Sequence, residues 1–161
     1  LKIISSKTAE LFAAATKVGA ILSNVKNKEK EALEFYGRNL GLTFQIADDT
    51  LDYNSELKLF GKKIGQDFYE GKITLPIILL FQKANDQEKE KLKEIFLKNN
   101  RIEDDLNYTL SLIKNYDIIK ACYQKAEHYI NLASNSLSVF KNSEEKNILE
   151  NLTSFSLARN F

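Results

Sequence analysis

The chain has 161 residues, of which 43% are hydrophobic, so it is long enough to bury a core of its own. Its 23 basic and 22 acidic residues leave a net charge of +1, which excludes bulk attraction to nucleic acid. The single cysteine, Cys122, excludes a disulfide within the chain, and no apolar run is long enough to cross a bilayer. We therefore expect one domain over residues 1–161, in the cytoplasm, with no nucleic-acid partner and no transmembrane segment.

Apolar residues return every three or four positions almost throughout, which predicts an all-α fold. A first helix carries an apolar stripe from Ala9 to Ile21 and ends near Ser23. The second is predicted from about residue 29 to residue 53. Gly37 and Gly41 lie one turn apart on it, a spacing that lets another helix approach closely.

Three glycines interrupt a charged run from about residue 54 to residue 72, which predicts a long polar loop. Helix resumes after Thr74, a good N-cap residue, with Pro76 in the first turn. Further helices are predicted at about residues 86–98, 102–115 and 118–140. A last helix should open with a capping box between Asn142 and Glu145.

The second helix ends in an acidic cluster. Asp48, Asp49 and Asp52 fall with Gln45 within one turn on one face. Like charges at that spacing repel one another, and a multivalent cation relieves the repulsion. Oxygen ligands favour magnesium, manganese or calcium, and magnesium commonly takes one or two carboxylates together with substrate phosphates. Acids near a predicted helix start, such as Asp104, instead complement the helix dipole.

The segment FQIADDTLDY, followed by GKKIGQDFYEGKITLP, resembles the second aspartate-rich motif and lysine loop of the trans-isoprenyl diphosphate synthases, the polyprenyl synthetase family. The upstream segment KTAELFAAA resembles the Lys-Thr helix of that family, and the resemblance covers the whole chain. It implies the C-terminal part of an isoprenoid synthase helical bundle. The implied enzyme is a prenyltransferase that elongates an allylic diphosphate with isopentenyl diphosphate, with Mg²⁺ as cofactor and a product of the longer-chain polyprenyl branch.

The resemblance also implies roles for individual residues. The metal ligands would be Asp48, Asp49 and Asp52. Catalysis would rest on Asp48, Asp49, Lys7 and Lys62. Substrate binding would fall to Lys7, Thr8, Gln45, Lys62, Lys72 and Arg159, with Gln45 near the reacting allyl group and Arg159 closing over the second diphosphate.

DDTLD is the only aspartate-rich motif of this kind in the chain, whereas the family carries another in an N-terminal half. We expect a truncated, split or decaying gene product that is inactive alone and forms a homodimer or pairs with an N-terminal half. Its stripe of Phe44, Ala47 and Leu51 should then be exposed and cause self-association. The alternative is a non-catalytic fragment or interaction subunit that pairs with a complete synthase. A terpene cyclase of the same fold is disfavoured by GKKIGQDFYEGK.

Overall fold

The computed structural model describes residues 8–54 and 64–158, and in these ranges the chain is helical, without strands. This confirms the predicted all-α class. The helices are α1 (Glu10–Leu22), α2 (Asn27–Leu51), α3 (Gln66–Tyr69), α4 (Leu75–Lys83), α5 (Asp86–Leu97), α6 (Glu103–Asn115), α7 (Ile118–Ser136) and α8 (Glu144–Ala158). Within the described ranges, no helix combines the length and the apolarity that a bilayer crossing requires.

A short helix and the end of α7 differ from prediction. The one-turn helix α3 lies inside the segment predicted as a polar loop, and its Phe68 is fully buried. A single turn is too short to show a helical period, so the sequence pattern could not reveal it. Helix α7 ends at Ser136 and continues as a 3-10 turn, Leu137–Val139, where the prediction had one helix to residue 140.

The helix caps confirm part of the prediction. Thr74 occupies the N-cap of α4 with extended backbone angles, although its side chain makes no capping hydrogen bond. The predicted capping box at Asn142 is wrong, because α8 begins at Glu144 and the hydroxyl of Ser143 accepts the hydrogen bond from the Lys146 amide, at 3.2 Å.

The chain divides into two compact units. The first unit combines Leu1–Ala47 and Gln124–Phe161, and the second unit is Asp48–Tyr123. In the first unit, Tyr36 and Leu40 of α2 form a buried cluster with Ala133 of α7 and with Leu137. The Tyr36 hydroxyl donates a hydrogen bond to the carbonyl of Leu149, 2.8 Å away, and burial raises the pKa of Tyr36 to about 12. The assignment of residues 1–161 to half of a single synthase domain stays a prediction.

Helix α1 packs closely on α2 within the first unit, as the paired glycines predicted. A Cβ added to Gly41 would lie 2.7 Å from the Cα of Ala9. The Phe44 ring packs against the Phe12 ring in a tilted arrangement, with 5.7 Å between centroids, and is half-buried, while Ala47 is buried. The expectation that the stripe of Phe44, Ala47 and Leu51 is exposed is therefore wrong, since helices of this same chain cover much of it.

The second unit is built around fully buried apolar side chains, among them Phe68, Ile77, Leu80, Leu92, Ile118 and Cys122. The Phe68 ring meets Phe96 of α5 edge-on, with 5.5 Å between centroids. Burial of a phenylalanine contributes about 1.5–3 kcal/mol. One aromatic side chain therefore anchors the polar segment that follows the acidic cluster, and Cys122 has the core environment of a small hydrophobe.

Candidate active site

Thr8 and Gln45, both predicted to contact substrate, lie together in the first unit. The Thr8 hydroxyl donates a hydrogen bond to Oε1 of Gln45 over 2.6 Å, and both side chains are half-buried. The close contact between α1 and α2 makes this possible, because the glycine side of α2 lets the start of α1 approach. The fold thus brings Thr8, just before α1, against Gln45 of α2.

The acidic residues at the end of α2 belong to the second unit and differ in exposure. Asp48 is exposed, Asp49 is buried and Asp52 is partly buried. The neighbouring Tyr53 is buried, and burial raises the pKa of its phenol well above the usual value. The charges of Asp52, Asp67 and Asp49 raise that pKa further, so negative charge collects around this residue.

Asp52 holds the start of residues 65–72, a segment that we call the lysine turn. Its Oδ1 accepts a hydrogen bond from the Gln66 amide at 3.1 Å, and its Oδ2 accepts one from the Asp67 amide at 2.9 Å. Its main-chain oxygen accepts a third, from the Gly65 amide at 2.8 Å. Gly65 has φ of 81°, a left-handed conformation that favours glycine, and its Cα faces Leu106 closely. One residue of the acidic motif therefore fixes the loop that follows it.

Lys72 ends the lysine turn and is held by two acids of the same turn. Its Nζ lies 2.6 Å from an oxygen of Glu70 and 2.9 Å from an oxygen of Asp67. The hydrogen bond to Glu70, followed by the one to Asp67, raises the pKa of the Lys72 ammonium above its usual value. The raised pKa keeps the ammonium protonated, and the exposed side chain is accessible to a ligand.

Sequence reasoning missed Asp67 and Glu70 as partners of Lys72. The segment QDFYEGK contained the information, because Asp67 and Glu70 precede Lys72 by five and two residues. The one-turn helix between them brings these acids close to the lysine. Among the other predicted site residues, Lys7, Lys62 and Arg159 lie outside the described residues. His128, for which the sequence favoured a structural role, is exposed and meets Tyr129 edge-on.

The carboxylates can be tested for their fit to a metal ion. Within residues 8–54 and 64–158, no three or more His, Cys, Asp or Glu side chains are grouped so that they could enclose a metal ion. A hard cation that takes one or two carboxylates and completes its shell with water and phosphate needs no such cage. The exposed carboxylate of Asp48, beside Asp49, suits that second kind of site.

The known protein family of this chain follows from its sequence. The sequence profile of the polyprenyl synthetase family matches residues 1–113. The chain belongs to the polyprenyl synthetase family. Relatives within this family include the short chain isoprenyl diphosphate synthase of Methanothermobacter thermautotrophicus, which is 34% identical over 99% of this chain and 48% of its own length.

Solved structures of polyprenyl synthetases share the fold. A decaprenyl diphosphate synthase from Rhodobacter capsulatus has a TM-score of 0.91 and 31% identity, covering 99% of this chain and 49% of its own. A polyprenyl synthase from Caulobacter crescentus, solved with calcium and isoprenyl diphosphate, has a TM-score of 0.90 and 38% identity, covering 99% of this chain and 48% of its own.

The chain thus spans about half the length of the relatives it matches. The names of these relatives range from short-chain to decaprenyl synthases. The longer-chain product therefore stays a prediction.

Proposed function

We propose that this chain supplies the metal- and diphosphate-binding part of a prenyltransferase that elongates an allylic diphosphate with isopentenyl diphosphate to a trans-polyprenyl diphosphate. In that reaction the bond between the allylic carbon and the diphosphate oxygen breaks, and the diphosphate leaves with the electron pair. The double bond of isopentenyl diphosphate attacks the allylic cation, and loss of a proton restores a double bond. Family membership supports this reaction class.

One observation carries the proposal. Asp52 of the acidic motif is hydrogen-bonded to the turn that ends in Lys72, so carboxylates and an ammonium come from one structural unit. Carboxylates suit a hard cation and an ammonium suits phosphate oxygens, which is the pair of groups that binding of a metal diphosphate requires. Bound diphosphate would take over Lys72 from a carboxylate partner, because it is the more highly charged anion.

Asp48, Asp49 and Asp52 are the residues proposed to hold magnesium, and Asp52 is also hydrogen-bonded to the lysine turn. Magnesium bound there would neutralise the charge that develops on the leaving diphosphate. Thr8 and Gln45, already joined by a hydrogen bond, would orient the allylic end of the substrate. Lys7, Lys62 and Arg159 complete the proposed diphosphate contacts.

The whole enzyme would combine this chain with the other aspartate-rich motif of the family, which an N-terminal half would supply. The chain would form a homodimer or pair with that half, and the enzyme would act in the cytoplasm. The alternative of a non-catalytic interaction subunit requires neither an accessible ammonium nor exposed motif carboxylates. The chain has both, in Lys72 and Asp48, which favours the catalytic proposal.

Isothermal calorimetry tests the proposal on the 161-residue chain, with Mg²⁺ and farnesyl diphosphate added separately and together. We expect weak binding of Mg²⁺ alone and binding of the diphosphate that Mg²⁺ strengthens on the order of tenfold. Asp48→Ala should abolish the strengthening. Asp104→Ala is the matched control, since it removes an exposed aspartate at the start of α6 and should change nothing.

Two results would contradict the proposed function. One is tight binding of Mg²⁺ without diphosphate, which would indicate a closed metal site. The other is a synergy between Mg²⁺ and farnesyl diphosphate that Asp48→Ala leaves unchanged.

A further inference from the structure

Arg101 lies in the loop between α5 and α6, and the proposed reaction assigns it no role. Its Nη2 donates a 2.6 Å hydrogen bond to the carbonyl of Phe96 in α5. Its Nη1 donates a longer one, 3.4 Å, to the carbonyl of Tyr69 in the lysine turn. The guanidinium also lies over the Phe96 ring, 5.4 Å from the centroid. Arg101 therefore links α5 to the lysine turn.

The guanidinium also packs against the backbone of Gly71, the residue before Lys72. A Cβ built on Gly71 would lie 2.8 Å from Nη2 and 2.9 Å from Nη1 of Arg101. Gly71 has φ of 73°, so this close approach coincides with a left-handed backbone conformation. Among the residues that the structure describes, the buried Nε of Arg101 has no hydrogen-bond partner, which costs stability. Arg101 therefore contacts Tyr69 and Gly71 of the lysine turn although its buried Nε lowers the stability of the folded chain.

The lysine turn is consequently held at three points. The Asp52 carboxylate accepts hydrogen bonds from amides at the start of the turn, and the Phe68 side chain in its middle is buried. Arg101 contacts the end of the turn. Inside the turn, the Lys72 amide donates a hydrogen bond of 2.9 Å to the carbonyl of Asp67. Because Gly71 and Lys72 share a peptide bond, a displacement of Gly71 would move the Lys72 backbone and disturb this hydrogen bond.

We propose that Arg101 is a positioning residue that, by holding Gly71, fixes the point from which the Lys72 ammonium reaches a diphosphate. The proposal rests on the proposed function, because it takes Lys72 to be a diphosphate contact. Arg101 itself would not touch the ligand. Loss of Arg101 would leave the charge of Lys72 intact but make the position of the Lys72 ammonium less defined. A poorly placed binding group contributes much less to the affinity for its ligand.

The test compares binding of farnesyl diphosphate in the presence of Mg²⁺ among variants of the chain. We expect Lys72→Met to weaken binding on the order of tenfold and Arg101→Met to weaken it about fivefold. In the Lys72→Met background, Arg101→Met should cause no further loss, because it acts through Lys72. Lys98→Met is the matched control, since it removes a cation three residues away that pairs with Asp105.

A purely structural role for Arg101 would weaken binding equally with and without Lys72, and that result would overturn the inference. Amide hydrogen exchange gives a readout independent of binding. Arg101→Met should speed exchange at Gly71 and Lys72, and unchanged exchange there would also refute the inference. If Arg101→Met does not fold, Arg101→Lys keeps a cation at this position without the planar guanidinium and should show the same dependence on Lys72.

The outcomes separate the two proposals. Absence of Mg²⁺-dependent diphosphate binding by the unaltered chain would reject the proposed function, and the inference with it. Normal binding that depends on Lys72 but is unaffected by Arg101→Met would reject the inference alone.

Discussion

Among single residues, Asp52 has two properties, and the motif DDTLD reveals only one of them. It is the last acid of DDTLD, and it is also the acceptor for two consecutive amides at the start of the lysine turn. A carboxylate that accepts two backbone hydrogen bonds is stabilised in its charged form and restricted in orientation. Asp48 on the same motif is exposed. The acids of one motif therefore have different structural tasks.

We predict that Asp52→Ala loosens the lysine turn, at a cost of about 0.5–2 kcal/mol, which is the usual effect of removing a helix-capping side chain. Asp52→Asn should lose roughly half as much, because its single amide oxygen can accept from only one of the two amides that the carboxylate oxygens of Asp52 accept from. Amide hydrogen exchange at Gln66 and Asp67 measures the effect directly. Asp48→Ala serves as the control and should leave both amides unchanged. Equal exchange in Asp52→Ala and the unaltered chain would show that these hydrogen bonds do not hold the turn.

The sequence predicted the acids and Lys72 as individual candidates but did not predict how they are connected. Residues 65–72 contain one turn of helix, two left-handed glycines and a buried phenylalanine, and none of these has a periodicity that a pattern can show. The contact of Arg101 with Tyr69 joins residues that are far apart in the sequence, so it becomes visible only in the folded chain, whereas Glu70 and Lys72 pair within one short segment.

At the scale of elements, the contact between α1 and α2 is controlled by Gly37 and Gly41. A Cβ on Gly37 would lie 2.5 Å from the carbonyl oxygen of Phe12 and would also meet Thr16. The Thr16 hydroxyl bridges the two helices through a 2.6 Å hydrogen bond to the carbonyl of Leu33. The same approach brings Thr8 to Gln45. This packing was predictable because two glycines one helical turn apart in the sequence indicate a close helix contact without any knowledge of the partner helix.

We predict that Gly37→Ala destabilises the chain by about 1–3 kcal/mol, because the added methyl overpacks the contact with the backbone of α1. This loss exceeds the gain of about 1 kcal/mol that alanine brings to a helix interior. Gly19→Ala on α1 is the matched control, since no atom of the described residues lies within 4 Å of its Cβ position, and it should stabilise the chain. Urea unfolding of the three proteins measures both effects. Stabilisation by Gly37→Ala would mean that the two helices are not in close contact.

In the chain as a whole, large apolar side chains remain exposed on α1 and α8. Leu11, Val18 and Leu22 are exposed on α1, and their spacing of seven and four residues places them on one face of the helix. On α8, Ile148, Leu152 and Phe155 are exposed as well. Apolar side chains that recur on one face form a contiguous patch, and such patches mark surfaces that associate. Self-association was expected from the sequence, but on the different stripe formed by Phe44, Ala47 and Leu51.

We predict that the 161-residue chain self-associates through the exposed face of α1 and that Leu11→Lys with Leu22→Lys shifts it towards monomer. These leucines are 74% and 82% exposed, so the charges stay in water and the fold keeps its stability. Leu97→Lys is the matched control, because Leu97 is 83% exposed but lies outside the α1 face. Sedimentation velocity at several concentrations measures the association, and urea unfolding checks the stability of each variant. A concentration-independent monomer before substitution, or an equal effect of Leu97→Lys, would show that the α1 face does not drive association.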